Sequence, residues 1–195
     1  DKKIKIMAKE IYFWGDQHFR HSNAYKFPSK DGDRKMRPFA SMEECELLMV
    51  ENYNKIVNDD DIVYFLGDVI LDRKGSEILS FMKKGAKHLV LGNHDNKGDI
   101  SFYRQYFDKV YGVLYLPKLK SILTHVPVHN SMLGPQNYLN GETRFKYNIH
   151  GHLHDNHLTL PNSNIKDMHY LNTCVEVVNY KPVVFEELIE INKLC

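Results

Sequence analysis

The sequence of 195 residues predicts an α/β protein. Five short apolar runs have the length and composition of buried strands, and segments with helical periodicity lie between some of them. Polar residues follow each run at once, and they are carboxylates, imidazoles and amides. Open α/β sheets gather such groups at the carboxyl ends of their strands. The five runs cover residues 11–14, 62–66, 88–91, 121–124 and 147–149.

Two helices are predicted between the strands. The clearer one covers residues 42–57, where apolar residues recur at helical spacing. Ser41 and Glu44 precede it with the spacing of a capping box, in which the two side chains satisfy the first free backbone N–H groups. A shorter helix is predicted over residues 76–83, and Gly85 is expected to end it.

The remaining segments are predicted as strands and loops. Residues 170–178 and 183–187 are expected to form two strands that complete a second sheet. Residues 20–37 and 126–146 are polar and rich in glycine and proline, so we expect them to be loops. Because long loops next to a site are more often functional than incidental, these two are predicted to form opposite walls of a cleft.

The composition excludes several classes of protein. The chain is 43% hydrophobic and 26% charged, as in ordinary globular proteins, and its net charge of +1 gives no strong attraction for a long polyanion. Three cysteines are too few for a disulfide framework, which favours a cytoplasmic location. No apolar run suits a membrane span or a signal peptide. A single domain over residues 1–195 is predicted, with residues 1–6 an addition before a start at Met7 or a disordered start.

Five polar motifs follow the predicted strands in a fixed order. Their side chains offer carboxylate, amide and imidazole ligands, with no cysteine among them. Such a set suits divalent transition metals better than structural zinc, so the pattern indicates a hydrolase with two metal ions. In chain order the motifs are Asp16-Gln17-His18, Gly67-Asp68, Gly92-Asn93-His94-Asp95, His125 and His150-Gly151-His152-Leu153-His154.

Together these motifs resemble the calcineurin-like metallophosphoesterase superfamily, whose pattern is D-x-H, GD, GNH with D or E, a single H, and GHxH. All five blocks occur in that order across residues 16–154. The flanking residues His18-Phe19-Arg20-His21 and Arg37-Pro38-Phe39 are more similar to small bacterial and phage members than to Ser/Thr protein phosphatases. The resemblance implies a four-layer sandwich of two mixed β-sheets flanked by helices. It also implies a binuclear metal site at the C-terminal ends of the strands.

The resemblance further implies two divalent transition metal ions that share Asp68 as a bridge. Manganese is preferred, while iron, zinc, nickel and cobalt remain open, because mixed nitrogen and oxygen ligands accept them all. A metal-bridging hydroxide would be the nucleophile, since metal coordination lowers the pKa of water to about 7. Gly151 would permit the turn that sends His152 and His154 to different ions. The first ion would be held by Asp16, His18, Asp68 and His154, and the second by Asp68, Asn93, His125 and His152.

Five further residues are candidates for catalysis or substrate binding. By the resemblance, His94 would protonate or stabilise the leaving group, and Asp95 would orient its imidazole. Arg37 would hold a phosphate oxygen with two parallel N–H groups, with a solvated surface arginine as the alternative. His21 and His129 are expected to line the pocket because each lies near a predicted ligand in the sequence.

The predicted function is a metal-dependent phosphoester hydrolase, preferably a phosphodiesterase acting on a small nucleotide-like or other diester. The alternatives are a phosphomonoesterase or protein phosphatase, and then a single-strand nuclease, since the basic residues of 20–37 keep single-stranded nucleic acid open as a partner. A non-enzymatic scaffold is ranked last, because every predicted ligand position holds a competent residue. No membrane partner is expected, and the sequence leaves the oligomeric state open.

Overall fold

The computed structural model describes residues 9–71, 73–95, 99–134, 138–139 and 142–194, so the interpretation of residues 1–6 falls outside it. The strands are β1 (Ile11–Trp14), β2 (Ile62–Phe65), β3 (Ala86–Val90), β4 (Lys109–Tyr111), β5 (Leu114–Leu116), β6 (Ser121–Leu123), β7 (Tyr138–Leu139), β8 (Glu142–Thr143), β9 (Tyr147–His150), β10 (Tyr170–Asn172) and β11 (Val183–Val184). The helices are α1 (Met42–Ile56), α2 (Ser76–Leu79), α3 (Ile100–Tyr103) and α4 (Phe185–Leu194), with short 3₁₀ turns at Ser22–Tyr25, Arg73–Gly75, Pro117–Leu119 and Asn130–Met132.

The first sheet has the strand order β11-β1-β2-β3-β4. Strands β1 to β4 run parallel, and the edge strand β11 runs antiparallel to β1. In the register, Phe13 lies opposite Tyr64 on one side and Val183 on the other. Parallel strands are usually covered on both faces, which explains why β1 and β2 are almost entirely apolar and buried.

The second sheet has the strand order β10-β9-β6-β5, with β9 parallel to both β6 and β10 and β5 antiparallel to β6. The two sheets meet at a parallel bridge between Gly15 and Cys174. There the Gly15 N–H donates to the Thr173 carbonyl at 2.9 Å, and the Val175 N–H donates to the Gly15 carbonyl at 3.0 Å. The chain leaving β1 is therefore hydrogen-bonded to the chain leaving β10.

Helices cover the sheets. Tyr53 of α1 stacks on Trp14 of β1 with ring centroids 6.1 Å apart, and α4 packs on β1, β10 and β11. The architecture is thus α/β, with two mixed sheets flanked by helices. The predicted cap of α1 is present, since the Ser41 hydroxyl accepts from the Glu44 N–H at 3.1 Å. The Glu44 carboxylate reaches the Ala40 N–H at 2.8 Å instead of the Ser41 N–H expected for a capping box.

Three predicted elements differ from the structure. The strand expected over residues 170–178 pairs with β9 in the second sheet but ends at Asn172. The helix expected over residues 76–83 is a single turn, α2, that continues the 3₁₀ turn before it. The strand expected over residues 183–187 ends at Val184 and joins the first sheet, while Phe185 begins helix α4. The apolar residues after Val184 recur at helical spacing, and Leu188 is the one that reaches the core with no exposed surface.

Across the described part of the chain, the helices are too short or too polar to cross a membrane.

Candidate metal centre

The predicted ligands lie at the ends of strands from both sheets. Asp16 and His18 follow β1, Asp68 follows β2, and His125 follows β6; His152 and His154 follow β9. The loops bring ligand atoms of these residues within 4.8 Å of one another in two groups. The groups are Asp16, His18 and His154, and Asp68, His125 and His152. Each group therefore takes side chains from both sheets and could hold a metal ion.

The first group contains buried polar atoms that form no hydrogen bond with the described part of the chain. Asp16 Oδ2 accepts from the His152 N–H at 2.8 Å and from the Cys174 thiol at 3.2 Å. Among the described residues, Asp16 Oδ1 and both ring nitrogens of His18 are buried without a hydrogen-bond partner. The His18 and His154 rings stack with centroids 5.2 Å apart. Buried polar atoms are normally satisfied. A neutral imidazole has one lone pair, and a lone pair on His18 Nε2, which lies 3.6 Å from Asp16 Oδ1, would fit a cation bound between the two atoms.

The second group converges on the Nε2 atom of His125. The Nδ1 atom of this ring lies 2.7 Å from the Leu66 carbonyl, so Nδ1 carries the proton that it donates there. Nε2 then lies 3.2 Å from Asp68 Oδ2 and 2.9 Å from Asn93 Oδ1. Three lone pairs so close together need either a proton on Nε2, which would donate to the two oxygens, or a cation bound between the three atoms. Burial lowers the pKa of His125, but Asp68 and Asp16 outweigh it and raise that pKa to about 9.

Asp68 lies between the two groups. Its Oδ2 atom is 3.2 Å from His125 Nε2 and 4.0 Å from His18 Nε2, while its Oδ1 accepts from the His94 N–H at 2.8 Å. Burial would raise the pKa of this carboxyl, but the hydrogen bond and charge of His125 lower it below the usual range. An ionised oxygen therefore faces both groups.

The backbone of five predicted ligands lies in the left-handed region. The φ angles are 60° at Asp16, 53° at His18, 50° at Asp68, 71° at His152 and 50° at His154. Such angles are uncommon outside glycine, although Asp and His adopt them more readily than bulkier residues, and they persist only where the surroundings impose them. The turn expected at Gly151 is thus made by the two histidines after it.

Gly151 serves the close approach of the loops. A Cβ atom at this position would collide with Asp16 Oδ2 and would lie only 2.8 Å from the Leu66 carbonyl oxygen. Gly67 has a similar role, because its φ is 84° and a Cβ there would lie 2.6 Å from His125 Nδ1. Glycine at these positions lets the ligand loops of the two sheets touch.

His94 and Asp95 have different surroundings from each other. His94 is exposed, and its ring centroid lies 6.1 Å from that of His18, at the open side of the site. Asp95 is buried and accepts from the backbone N–H groups of Gly92 at 2.7 Å, Asp68 at 3.0 Å and Val69 at 3.3 Å. Asp95 therefore joins the loops after β2 and β3, whereas we expected it to orient the His94 imidazole.

Neither expectation for Arg37, a contact with a substrate or a solvated position on the surface, fits the structure. The side chain of Arg37 has 0% exposure. Its Nε donates to Glu176 Oε1 at 2.7 Å, Nη1 donates to the Gln17 carbonyl at 2.8 Å, and Nη2 donates to the Asp16 carbonyl at 2.6 Å. A guanidinium without exposed surface cannot reach a phosphate in a cleft, so Arg37 supports the ligand loop instead.

Glu176 was missed in the sequence. Its Oε1 atom accepts from Arg37 and also lies 3.2 Å from Nδ1 of the predicted ligand His154. Burial would raise the pKa of the Glu176 carboxyl, but the charges and hydrogen bonds of Arg37 and His154 lower it to about 2. A single carboxylate within the apolar run of residues 174–178 was the signal that could have identified it.

His21 and His129 lie in different places. The His21 ring is 5.5 Å from that of His18, so it borders the first group. His129 lines a cavity of about 490 Å³ with Pro127, Leu158 and Tyr170. The described residues 127–130 thus line this cavity. We expected their segment to face the loop of residues 20–37 across the cleft at the metal ligands.

A separate cavity borders the ligands directly. It has a volume of about 460 Å³ and is lined by His152 and His154 together with the residues around them. Phe27, Pro28 and Met36 form its other wall. The predicted loop of residues 20–37 therefore does form one wall of a cleft at the site.

Comparisons with known proteins agree with a shared fold. A scan against models of known protein families gives no match. The chain is 33% identical over 191 residues to the uncharacterized protein MJ1445 of Methanocaldococcus jannaschii, with 95% of this chain and 93% of that protein covered. It also resembles the crystal structure of the protein of unknown function AQ665 from Aquifex aeolicus, with a TM-score of 0.63, 25% identity, and 96% and 100% of the two chains covered.

The fold and the site define an α/β protein with two His/Asp groups at the junction of its sheets. The chain belongs to the same family as MJ1445.

Proposed function

We propose that the protein is a metal-dependent phosphoester hydrolase of the calcineurin-like metallophosphoesterase type, with two divalent transition metal ions, manganese being preferred. The observation that carries the proposal is the pair of adjacent His/Asp groups with Asp68 Oδ2 between them. Asp68 would bridge the two ions, and Asn93 would join the second group through its Oδ1 atom. The unpartnered acceptors of Asp16 and His18 fit the first ion.

The residues of the chain have distinct tasks in this proposal. When bound, the two ions supply Lewis acidity toward a phosphoryl oxygen and lower the pKa of water enough to give a nucleophile near neutral pH. The carboxylates of Asp16 and Asp68 would hold the two ions in a buried place. Because two carboxylates neutralise only half of the charge of two divalent ions, the site would stay cationic and attract a phosphate. The hydrogen bonds of Asp95 fix the loop that carries Asn93 and His94.

His94 is the proposed catalytic residue. It is exposed at the side of the site where His18 lies, and its backbone N–H is held by Asp68 Oδ1. Its imidazole would give a proton to the leaving oxygen as the phosphorus–oxygen bond breaks. Because Asp95 accepts from three backbone N–H groups, it would act on His94 through the backbone of the loop that both residues share.

The proposed substrate is a small phosphodiester. The cavity of about 460 Å³ beside His152 and His154 has the size of a small-molecule site. Its apolar wall suits an ester group, while the exposed residues Lys26, Lys30 and Lys35 give the same loop a basic character. The Lys30 N–H donates to Asp155 Oδ2 at 2.7 Å, which ties the two walls together.

The test is hydrolysis by chelator-stripped protein reloaded with manganese. We expect a higher kcat/KM on bis(p-nitrophenyl) phosphate than on p-nitrophenyl phosphate. The opposite order, reproduced with several metals, would favour the phosphomonoesterase or protein phosphatase. Cleavage of single-stranded oligonucleotides in preference to both would favour the nuclease. A panel of phosphorylated metabolites under the same conditions would then identify the substrate.

A scaffold without activity is the alternative from another class. Elemental analysis of protein purified without chelator separates the two, because the hydrolase should contain close to two ions per chain. A chain with far less metal and no activity on any of these esters after metal addition would favour the scaffold.

A further inference from the structure

A buried ion pair lies directly behind the first ligand group. The side chains of Arg37 and Glu176 are 0% and 3% exposed, and their Nε and Oε1 atoms are 2.7 Å apart. The two residues are 139 positions apart in the chain, so the pair forms only in the folded protein. Charges without access to water require close partners, and here these are two backbone carbonyls of the loop after β1 and the ring of His154. Among the described residues, Glu176 Oε2 has no hydrogen-bond partner.

Glu176 determines which nitrogen of His154 is available. Its Oε1 atom lies 3.2 Å from His154 Nδ1, and a carboxylate accepts hydrogen bonds. The Nδ1 atom therefore carries the proton, and the Nε2 atom keeps its lone pair for the first group. A carboxylate behind a ligating histidine fixes the tautomer and the ring orientation and increases the basicity of the ligand.

Arg37 extends the same support to the neighbouring ligands. Its two remaining hydrogen bonds reach the carbonyls of Gln17 at 2.8 Å and Asp16 at 2.6 Å. These carbonyls belong to the loop in which Asp16 and His18 have left-handed φ angles of 60° and 53°. The planar fork of arginine can bind a carboxylate and two carbonyls at once, which an ammonium group on a flexible chain cannot reproduce.

We propose that Glu176 is a positioning residue for the metal ligand His154, and that Arg37 ties Glu176 to the loop of residues 16–18. One buried ion pair then sets the geometry of all three side chains of the first group. The inference rests on the proposed metal site and is independent of the substrate. The second group has its own support, because His125 is held by the Leu66 carbonyl.

The first experiment uses the full chain with Glu176→Gln, stripped with chelator and titrated with Mn²⁺ by calorimetry. We expect one of the two sites to lose about 10- to 100-fold in affinity, while the other keeps the wild-type value. Glu46→Gln is the matched control. Glu46 is also a buried carboxylate with an arginine partner, since it accepts from the Arg20 N–H and lies 3.4 Å from the Arg20 guanidinium. Both affinities should be unchanged in this control.

A spectrum of the Co²⁺-loaded protein gives a second measurement. The absorption bands of one Co²⁺ ion should change in Glu176→Gln and remain as in the wild type in Glu46→Gln. A folded Glu176→Gln protein that binds both ions as tightly as the wild type overturns the inference. Equal weakening of both sites also overturns it, because that result would mean a general loss of structure.

A third variant covers the case in which Glu176→Gln does not fold. Arg37→Lys keeps a positive charge opposite Glu176 and removes the fork that binds the carbonyls, so we expect the same selective loss. Unchanged metal affinities in folded Arg37→Lys overturn the proposal that Arg37 links Glu176 to the loop of residues 16–18. A wild-type chain that binds two ions and hydrolyses no phosphoester contradicts the proposed function and leaves this inference standing when the selective loss is found.

Discussion

The thiol of Cys174 donates a hydrogen bond to Oδ2 of Asp16 across 3.2 Å, although the two residues are 158 positions apart. Asp16 directly follows Gly15, whose bridge to Cys174 joins the two sheets. The junction of the sheets and the first predicted ligand are therefore the same place. Any change that shifts one sheet against the other must move the Asp16 carboxylate.

Asp68→Asn should abolish both metal binding and hydrolysis. A single oxygen of Asp68 faces both ligand groups, so the loss of its charge affects both ions at once. Metal content after gel filtration measures the effect. Asp61→Asn is the control, because Asp61 is equally buried and accepts from the Glu10 and Asn58 N–H groups at the other end of β2. Two tightly bound ions in Asp68→Asn would refute the bridging role.

His94→Asn should keep both ions and lower kcat, on the order of 10²-fold for the loss of a general acid. The backbone N–H that holds Asp68 Oδ1 is preserved, so the ligand geometry should not change. The loss should be smaller for p-nitrophenyl esters, since their leaving group needs little protonation. Steady-state rates on aryl and alkyl esters measure the difference, and equal losses would point to positioning or charge stabilisation instead of proton donation.

Arg37→Ala should destabilise the metal-free protein by about 3–5 kcal/mol, because it leaves the buried charge of Glu176 without its partner. Urea unfolding in the presence of chelator gives the free energy of unfolding. Arg73→Ala provides the comparison: Arg73 also pairs with a carboxylate, that of Asp99 at 2.6 Å, but its side chain is 68% exposed. The free energy of unfolding should change little in Arg73→Ala. Equal effects of the two substitutions would mean that burial of the Arg37 pair is unimportant.

Phe27→Ala should raise KM for aryl phosphodiesters by about 2- to 12-fold with little change in kcat, which corresponds to the loss of about 0.5–1.5 kcal/mol of ring contact. Phe27 lines the cavity that borders His152 and His154. Phe81→Ala is the matched control, since Phe81 is also an exposed aromatic residue but lines a different cavity, with Arg20. Steady-state kinetics on bis(p-nitrophenyl) phosphate give KM for both variants. An unchanged KM in Phe27→Ala would mean that the ester group does not bind in the cavity lined by Phe27.

His88→Phe should make stability less dependent on pH. Burial, followed by the charge of Lys109, lowers the pKa of His88 from its ordinary value of 6.5. Below about pH 6.5 the unfolded chain therefore binds a proton that the folded chain resists, and the free energy of unfolding falls as the pH falls toward the folded pKa. Above pH 6.5 this contribution is fully present. Urea unfolding between pH 7 and pH 5 measures the slope; a slope identical to that of the wild type would contradict the prediction.

The five strands that precede the polar motifs could be predicted from the sequence because each is a local pattern, whereas the division of the polar residues into two groups came from the resemblance to a known family. An apolar run followed by a polar motif marks both a strand end and the side chains that it presents, as at Asp68 and His125. The pairing of residues 183–184 with β1 and the helix that follows them could not be predicted in the same way. The residues around Val184 suit a strand and the start of a helix equally, and only contacts with β1 and the core decide between them.

The role of Arg37 could not be predicted for a different reason. An arginine near a predicted phosphate site is equally consistent with substrate binding and with a buried ion pair, and the second depends on Glu176, 139 positions away. The left-handed backbone of the ligands was also hidden, because Asp and His adopt such angles only when tertiary contacts impose them. Both features, the buried pair of Arg37 and the left-handed backbone of the ligands, depend on contacts between residues far apart in the sequence.

The division of each ligand group between the two sheets has a consequence for the order of events during synthesis. A nascent chain that has emerged only as far as residue 95 offers Asp16, His18, Asp68 and Asn93, which complete neither group. His125, His152 and His154 arrive with the second sheet. If the two groups bind metal ions as proposed, tight capture by either group would wait until both sheets have docked, and metal loading would report that folding has finished.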